Sequence, residues 1–385
     1  MSIKKTAPIY FVFLCMGFGD VVGPLTSQVQ NEYQLTNFSA GLVTFMGFIM
    51  FGLLSIPLGI FQDRKNKKLI LMLGLAAAFI GLIIPVLGNF SSFAVLLSAL
   101  LLLGTGATFL QVAGNPIMRD VSPEGKFSRN LSFGQFVKAI GSLSGALIPL
   151  IAVNYWDLDW KILFPIYAVA VLIALIYVKL TPIKEQKDAN SKPASLSSSL
   201  KLLSNPYVLT MVIGIFLYVG AEVSMSAKLP NYLENKFDID IQKFGLWGTL
   251  FFFLTLMIGR FAGGVVLNWF KPKSFLITSS ILSILGIVLM FLAPTTVIGF
   301  IAIALIGLGF ANIFPLIFSI TIDKLPERAN EISGLMVTAI IGGAVMPLIF
   351  GIVADSFSLM SGFIVTALSI GYILIISLFN DKKQA

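Results

Sequence analysis

The chain has 385 residues, of which 57% are hydrophobic and only 11% are charged, with a formal net charge of +8. Soluble domains carry about 25% charged residues, so this composition and a mean hydropathy of +0.94 exclude a soluble protein and indicate an integral membrane protein. The absence of histidine excludes imidazole proton relays and most zinc or copper sites. The single cysteine, Cys15, excludes an internal disulfide and is expected to be a small core residue.

Apolar runs of about 20 residues recur along the chain, and each is long enough to cross a hydrocarbon core about 30 Å thick as a helix. We predict twelve spans, at residues 8–30, 38–62, 69–88, 92–118, 130–153, 161–180, 206–231, 244–268, 273–293, 296–322, 332–354 and 357–379. The even number places both termini on one side. The first span lacks the features of a signal peptide, so we expect it to be retained, with the mature chain starting near Met1.

The lysine and arginine residues predict the orientation, because short cytoplasmic loops retain them. Of the 26 Lys and Arg residues, only Lys161, Lys228, Lys236 and Lys243 are expected near the far side. Both termini should therefore face the cytoplasm. The positive charge is explained by topology, so we expect no nucleic-acid partner.

Ionisable residues interrupt several predicted spans. In "FVFLCMGFGDVVGPLTS", residues 11–27, Asp20 lies about 18 Å from the start of its helix and hence near the midplane. Lys138 lies about 12 Å inside helix five, and Glu222 about 24 Å along helix seven, in the outer half of the membrane. Arg260 is expected near the cytoplasmic end of helix eight.

A polar, Ser-rich and Lys-rich segment separates spans six and seven. It predicts an N-terminal six-helix bundle over 1–180, a cytoplasmic linker over 181–205 and a C-terminal six-helix bundle over 206–385. The halves look duplicated. "GTGATFLQVAGNPIMRDVSPE" at 104–124 aligns with "GLGFANIFPLIFSITIDKLPE" at 307–327. Such repeats are typical of transporters, because two similar bundles can rock against a central site.

The loop after the second span, "GIFQDRKNKK", resembles that of the major facilitator superfamily, with Gly59, Asp63, Arg64, Lys67 and Lys68 in the expected places. Asn66 replaces the usual glycine. "GDVVGPL", "AGNP", "YVGAEVSMS" and "IGRFAGG" further resemble the fucose permease and glucose/galactose transporter group of sugar–cation symporters.

This resemblance implies an all-α membrane protein with twelve transmembrane helices in two pseudo-symmetric six-helix bundles, the major facilitator fold. It also implies sugar uptake coupled to a cation gradient. In the fucose permease, two membrane carboxylates in helices one and four serve proton coupling. The first corresponds to Asp20, but the second corresponds to Gln111, an amide that cannot exchange a proton near neutral pH, so the two-carboxylate mechanism does not transfer directly.

Buried charges cost free energy, so they face the bundle interior and find partners. We expect Lys138 to be the counter-ion of Asp20 and the pair to rearrange when Asp20 takes up a proton. Glu222 is a third candidate for cation coupling. One alternative is a fixed ion pair that sets helix register, and another is Lys138 as a binder of an acidic sugar.

Amides, carboxylates and aromatic rings suit sugars, because they bond neighbouring hydroxyls and stack on apolar ring faces. The substrate-binding candidates are Gln111, Gln135, Asn115, Glu222, Gln28, Asn231, Asn312, Tyr218, Trp247 and Phe314. Helix-to-helix bonding by the amides and simple packing by the aromatic residues remain the alternatives. Gating candidates are Gly59, Asp63, Arg64 and Arg260.

The sequence thus predicts a secondary active transporter that imports a neutral hexose or deoxyhexose with a cation by alternating access. We expect it to work as a monomer, surrounded by lipid, in the inner membrane of a bacterium. H⁺ is the expected coupling ion, with Na⁺ left open, and no cofactor or metal is expected. A drug or lipid exporter on the same fold is the main alternative. A membrane enzyme lacks a reactive constellation, and a nutrient sensor would add a signalling domain.

Overall fold

A computed structural model describes residues 3–35, 37–64, 66–122, 126–182, 196–239 and 246–379. Throughout these ranges the regular structure is helical. The first group of α-helices is α1 Ile3–Gly17, α2 Val22–Glu32, α3 Asn37–Arg64, α4 Lys67–Leu87, α5 Phe93–Val121, α6 Phe127–Trp156, α7 Leu163–Leu180 and α8 Leu196–Leu202. The second group is α9 Pro206–Phe237, α10 Leu246–Val266, α11 Pro272–Leu292, α12 Thr296–Phe310, α13 Ile313–Lys324, α14 Ala329–Thr338, α15 Gly342–Ser356 and α16 Leu359–Phe379.

Within the described ranges, twelve helical spans are long and apolar enough to cross a membrane. The prediction of an all-α membrane protein with twelve spans is therefore confirmed. The structure also explains why the loop motif after the second span can carry asparagine in place of glycine. Asn66, where a glycine was expected, is the N-cap of α4, and its side-chain oxygen accepts the backbone N–H of Leu69 at 2.7 Å.

Three spans are interrupted where hydropathy predicted continuous helices. Span one narrows to a 3-10 turn at Phe18–Val21, and span eleven has a 3-10 turn at Ala339–Ile341. Span ten is broken by a turn between Phe310 and Ile313. Such interruptions leave backbone carbonyls without their usual helical partners, and they are frequent at functional sites.

The chain packs into two compact units. Unit 1 contains the described parts of Met1–Phe127, Val137–Lys201 and Leu325–Thr338. Unit 2 contains those of Ser128–Phe136, Leu202–Lys324 and Ala339–Ala385. Each unit therefore includes a short helical segment from the other half of the sequence. The predicted bundle boundaries at 180 and 206 stay a prediction.

In each unit, helices from distant parts of the sequence make the core. In unit 1, α4 packs between α5 and α7, and α3 packs against α5. In unit 2, α11 packs against α12, and α9 packs against both α15 and α16. Buried Phe and Tyr side chains fill these contacts, and three of the largest fully buried ones are Tyr167, Tyr218 and Tyr232.

Candidate functional site

Asp20 lies in the 3-10 turn Phe18–Val21 that interrupts the first span. Its Oδ2 atom lies 3.1 Å from the Nζ atom of Lys138, and the hydroxyl of Ser142 donates a hydrogen bond to the same oxygen at 2.7 Å. The Asp20 side chain remains 26% exposed and that of Lys138 16%. The carboxylate is therefore paired, but it is not sealed in the protein.

The sequence brings these three side chains together by simple means. Lys138 and Ser142 lie four residues apart on α6, so both side chains point from one face of that helix. Gly17 lets α1 approach α6 closely, because a Cβ atom at Gly17 would run into the backbone of Lys138, Gly141 and Ser142. The predicted counter-ion of Asp20 is therefore present as an ion pair, while its role in coupling stays a prediction.

An aromatic pair packs at the 3-10 turn that contains Asp20. The ring of Phe18 stacks on that of Tyr167, with centroids 3.8 Å apart and planes 9° from parallel. The Tyr167 hydroxyl lies 2.7 Å from the Ser144 hydroxyl, and it donates a longer hydrogen bond of 3.4 Å to the Gly141 carbonyl. Tyr167 is fully buried, so it fixes Phe18, which lies two residues before Asp20.

Unit 2 holds a second pair of opposite charges. The guanidinium of Arg260, on α10, donates to a carboxylate oxygen of Glu222, on α9, at 3.1 Å. A second nitrogen of Arg260 donates to the Ala311 carbonyl at 3.2 Å. The Arg260 side chain is only 4% exposed and that of Glu222 18%, so this pair is more enclosed than that of Asp20 and Lys138.

The break between α12 and α13 makes this arrangement possible. A continuous helix would bond most of its own carbonyls, whereas here Ala311 accepts Arg260 and Phe310 accepts the hydroxyl of Tyr218 at 2.9 Å. Asn312, in the same turn, donates its amide to the Gly259 carbonyl at 2.7 Å. The interrupted span thus fixes the arginine that holds Glu222.

The predicted depths of Glu222 and Arg260 are inconsistent with each other, because the two side chains meet at 3.1 Å. The depth of Glu222 was counted along a predicted span ending at residue 231. α9 has 32 residues and is about 48 Å long, so 24 Å from its start is its middle. Arg260 likewise points to the middle of α9 rather than to a helix end. Its gating role stays a prediction.

The remaining substrate candidates differ in burial. Gln111 and Asn115 lie on α5 in unit 1 and are 3% and 0% exposed, and both amide atoms of Asn115 lack a hydrogen-bond partner among the described residues. Gln135 is 2% exposed, but it lies in the segment Ser128–Phe136 that packs in unit 2.

The other candidates also differ in exposure. Gln28 and Asn231 are partly exposed, and Trp247 is 48% exposed at the start of α10. Phe314 is buried and stacks on Phe318 at 5.8 Å, which is the arrangement of a packing residue. Their contacts with substrate stay predictions.

Among the gating candidates, Gly59 is buried in α3. Asp63 and Arg64 end the same helix, and their side chains lie outside the described part of the structure.

Sequence reasoning missed three participants. Ser142 and Tyr167 carry no charge, so nothing in the hydropathy pattern separates them from the many other hydroxyls of the spans. Arg260 was noticed but was not paired with Glu222. Its position inside an apolar run, "FLTLMIGRFAGG", indicates that Arg260 needs a partner inside the protein.

Comparison with known proteins shows the family to which the chain belongs. The family model of the Major Facilitator Superfamily matches residues 9–340 and 229–385. The chain belongs to the major facilitator superfamily. Its relatives include the glucose/galactose transporter of Brucella abortus, 28% identical over 374 residues that cover 93% of this chain and 89% of the relative. The L-fucose–proton symporter of Escherichia coli is 25% identical and covers 93% of this chain and 88% of the relative.

A solved structure agrees with the fold. The major facilitator transporter FucP, in its outward conformation, superposes with a TM-score of 0.82 at 22% identity, covering 98% of each chain. The predicted fold class and the resemblance to the fucose permease and glucose/galactose group are confirmed. The protein is a transporter rather than an enzyme, and its twelve apolar helices and bacterial relatives indicate a multi-pass membrane protein of a bacterium.

Proposed function

We propose that the protein imports a neutral hexose or deoxyhexose together with H⁺ by alternating access. It works as a monomer in the bacterial plasma membrane, with both termini in the cytoplasm and with no cofactor besides the coupling ion. The observation that carries the proposal is the Asp20 carboxylate in a helix interruption, paired with Lys138 and Ser142 yet 26% exposed. A titrating group needs that access to water, and the names of the relatives supply the class of substrate.

The charges favour a neutral sugar over an acidic one. Lys138 and Arg260 are each already paired with a carboxylate, Asp20 and Glu222 respectively. An anionic substrate would have to displace a carboxylate from one of them. A neutral sugar can instead place its hydroxyls against exposed carboxylate lone pairs without disrupting either pair.

Proton coupling follows from the two donors on Asp20. As a carboxylate, Asp20 forms an ion pair with the Lys138 ammonium and accepts a hydrogen bond from the Ser142 hydroxyl. When Asp20 takes up a proton, its attraction for Lys138 disappears and the ammonium turns to water or to a sugar hydroxyl. Gln111 cannot titrate, so in unit 1 Asp20 is the carboxylate assigned to this step.

The experiment uses purified protein in proteoliposomes. A thermal-shift panel of hexoses, deoxyhexoses, uronates and hydrophobic cations first identifies the substrate. Uptake of that substrate is then measured under an imposed pH gradient and, separately, an imposed Na⁺ gradient. Asp20→Asn should abolish accumulation while preserving counterflow, because counterflow needs binding and conformational exchange but no ion movement.

Three outcomes overturn the proposal. Unchanged accumulation in Asp20→Asn removes Asp20 from coupling. Accumulation driven by Na⁺ but not by a pH gradient replaces the ion. Stabilisation by hydrophobic cations and not by sugars favours the exporter alternative.

A further inference from the structure

The motif "IGRFAGG" places Arg260 between glycines that let α10 lie directly against the break between α12 and α13. A Cβ atom at Gly259 would lie 2.6 Å from the Cβ atom of Ala311. One at Gly263 would lie 2.2 Å from the side-chain oxygen of Asn312. Larger residues at these two positions would push α10 away, so the glycines fix the distance from Arg260 to the carbonyl groups of the break.

The guanidinium of Arg260 is held in place without help from Glu222. One of its nitrogens donates to the Ala311 carbonyl at 3.2 Å, and the Arg260 side chain is only 4% exposed. The turn around Ala311 is itself held by hydrogen bonds from the hydroxyl of Tyr218 and the amide of Asn312. Because the guanidinium is planar and rigid, fixing one of its N–H groups also fixes the direction of the others. Arg260 is therefore a fixed donor.

The open side of this ion pair is the carboxylate. Glu222 is 18% exposed against 4% for Arg260, and the hydrogen bond of 3.1 Å from Arg260 engages one of its two oxygens. An ionised carboxylate offers about four lone-pair sites, so Glu222 keeps acceptor capacity for a ligand. The pair thus seals the arginine and leaves an acceptor accessible.

The helix that carries Glu222 is anchored on both sides of it. One turn after Glu222, the carbonyl of Ser226 accepts the hydroxyl of Thr249, on α10, at 2.8 Å, and Thr249 is buried. One turn before Glu222, Tyr218 is fully buried. The backbone at Glu222 is therefore fixed between two contacts, and Arg260 sets the direction of the carboxylate. An acceptor that is ordered before binding reduces the entropy cost of binding.

This acceptor is suited to selecting a sugar by one hydroxyl group. Hydrogen bonds to an ionised acceptor are about twice as strong as those between neutral groups. A site that bonds a hydroxyl group rejects the analogue that lacks it, because the enclosed acceptor is then left without its partner. A negative acceptor also repels the carboxylate of an acidic sugar.

We propose that Glu222 is a specificity-determining residue that accepts a hydrogen bond from one hydroxyl of the sugar, and that Arg260 is a positioning residue that fixes the direction of its carboxylate. The sugars rejected at Glu222 are the monodeoxy analogue that lacks this hydroxyl and the uronates. The inference rests on the proposed function, because it takes a neutral sugar as the substrate, but it does not depend on which ion is coupled.

Equilibrium binding to the purified full-length protein measures this selection. The probes are D-glucose, D-galactose and L-fucose and, for the sugar that binds most tightly, the analogues in which each hydroxyl in turn is replaced by hydrogen. The dissociation constants are compared among the parent, Glu222→Gln, Glu222→Asp and Arg260→Lys. The matched control is Glu234→Gln, which removes an exposed carboxylate from the same helix.

In the parent, one monodeoxy analogue should bind about thirtyfold more weakly than its sugar, because the carboxylate loses a charge-assisted hydrogen bond. Glu222→Gln should reduce this ratio to about fivefold, the value for a neutral acceptor. Glu222→Asp keeps the charge but withdraws it by one methylene, so the ratio should fall to about twofold. Arg260→Lys should lower the ratio as well, and Glu234→Gln should leave it unchanged. A purely structural role would weaken all analogues equally and leave every ratio as in the parent.

Several outcomes overturn the inference and leave the proposed function intact. They are a parent that discriminates against no monodeoxy analogue, and ratios that stay unchanged in both Glu222→Gln and Glu222→Asp. An unchanged ratio in Arg260→Lys removes Arg260 as the positioning residue. If Arg260→Lys fails to fold, Glu222→Asp decides whether the position of the carboxylate matters. A parent that binds none of the three sugars overturns the proposed function together with the inference.

Discussion

One oxygen of Asp20 lies 3.1 Å from the ammonium of Lys138 and accepts a hydrogen bond from the hydroxyl of Ser142 at 2.7 Å. Both donors come from one face of α6, whereas the acceptor comes from the 3-10 turn of the first span. The carboxylate therefore links an interrupted span to a neighbouring, regular helix. A change in its charge acts on both.

Removing one partner of this pair should destabilise the protein more than removing both. Lys138→Met leaves the Asp20 carboxylate with a single hydroxyl donor, and we expect a loss of about 1–3 kcal/mol, reduced from the value for a fully buried pair by the 26% exposure of Asp20. In Asp20→Asn/Lys138→Met no unpaired charge remains, so at least half of the loss should be recovered. Thermal unfolding of the purified variants measures this. Additive losses would mean that the two side chains do not interact.

Arg260→Gln should be more damaging than Lys138→Met. Arg260 is 4% exposed and holds both Glu222 and the Ala311 carbonyl, so its removal takes the charged donor from a carboxylate that is only 18% exposed and from a buried carbonyl, with an expected loss of about 3–5 kcal/mol. Arg260→Lys should rescue little, because one ammonium does not reproduce the two directed bonds of the guanidinium. Glu222→Gln is the milder partner variant.

Unfolding temperature and yield of folded protein are the measurements for this second pair. If Arg260→Lys is as stable as the parent, the bond to Ala311 contributes nothing and the interrupted helix does not position Arg260.

Hydropathy was sufficient for the twelve spans and for their approximate limits, because an apolar run of about 20 residues has one low-energy form in a bilayer. The pairing of Asp20 with Lys138 was also predictable, since an isolated charge in a span must find an opposite one. The interruptions were not predictable. Hydropathy does not distinguish an α-helix from a 3-10 turn of the same residues, and Phe18–Val21 contains no proline to mark it.

The pairing of Glu222 with Arg260 was not predicted from the sequence, for a related reason. Depth was counted from the helix start and compared with a predicted span that ended at residue 231, whereas α9 continues to Phe237, six residues beyond that end. The break at Ala311, which supplies the second acceptor for Arg260, has no sequence signal stronger than the adjacent Asn312. An error in the predicted helix length therefore led to an error in the predicted pairing of charges.

The close approach of α1 to α6 at Gly17 leads to a prediction, and Gly23 in the same span provides the control. Gly17→Ala places a methyl group against the backbone of Lys138, Gly141 and Ser142, which side-chain motion cannot relieve. We expect a destabilisation of about 1–3 kcal/mol and a loss of transport, because α1 and α6 must separate and Asp20 moves away from Lys138. Gly23→Ala meets nothing within 4 Å and should be neutral or stabilising by about 0.5–1 kcal/mol. Equal effects of the two changes would contradict the close packing.

Two ion pairs in unit 1 should differ in strength because they differ in burial. Lys67, from the loop motif, lies 2.5 Å from Asp120 with side chains only 9% and 10% exposed, whereas Lys161 and Glu32 are 24% and 36% exposed. Asp120→Asn removes a charged partner from the largely buried Lys67 ammonium, so we expect a loss of about 3 kcal/mol.

Glu32→Gln is the matched control for the exposed pair and should cost no more than about 1 kcal/mol, because water screens that interaction and Asp159 remains as a second partner of Lys161 at 3.2 Å. The two variants are compared by thermal unfolding at low and high salt. Added salt should reduce the small effect of Glu32→Gln and leave that of Asp120→Asn nearly unchanged, since ions do not reach the enclosed pair. A similar salt response in both would mean that water reaches Lys67 and Asp120, and that the motif lysine binds an exposed rather than a buried partner.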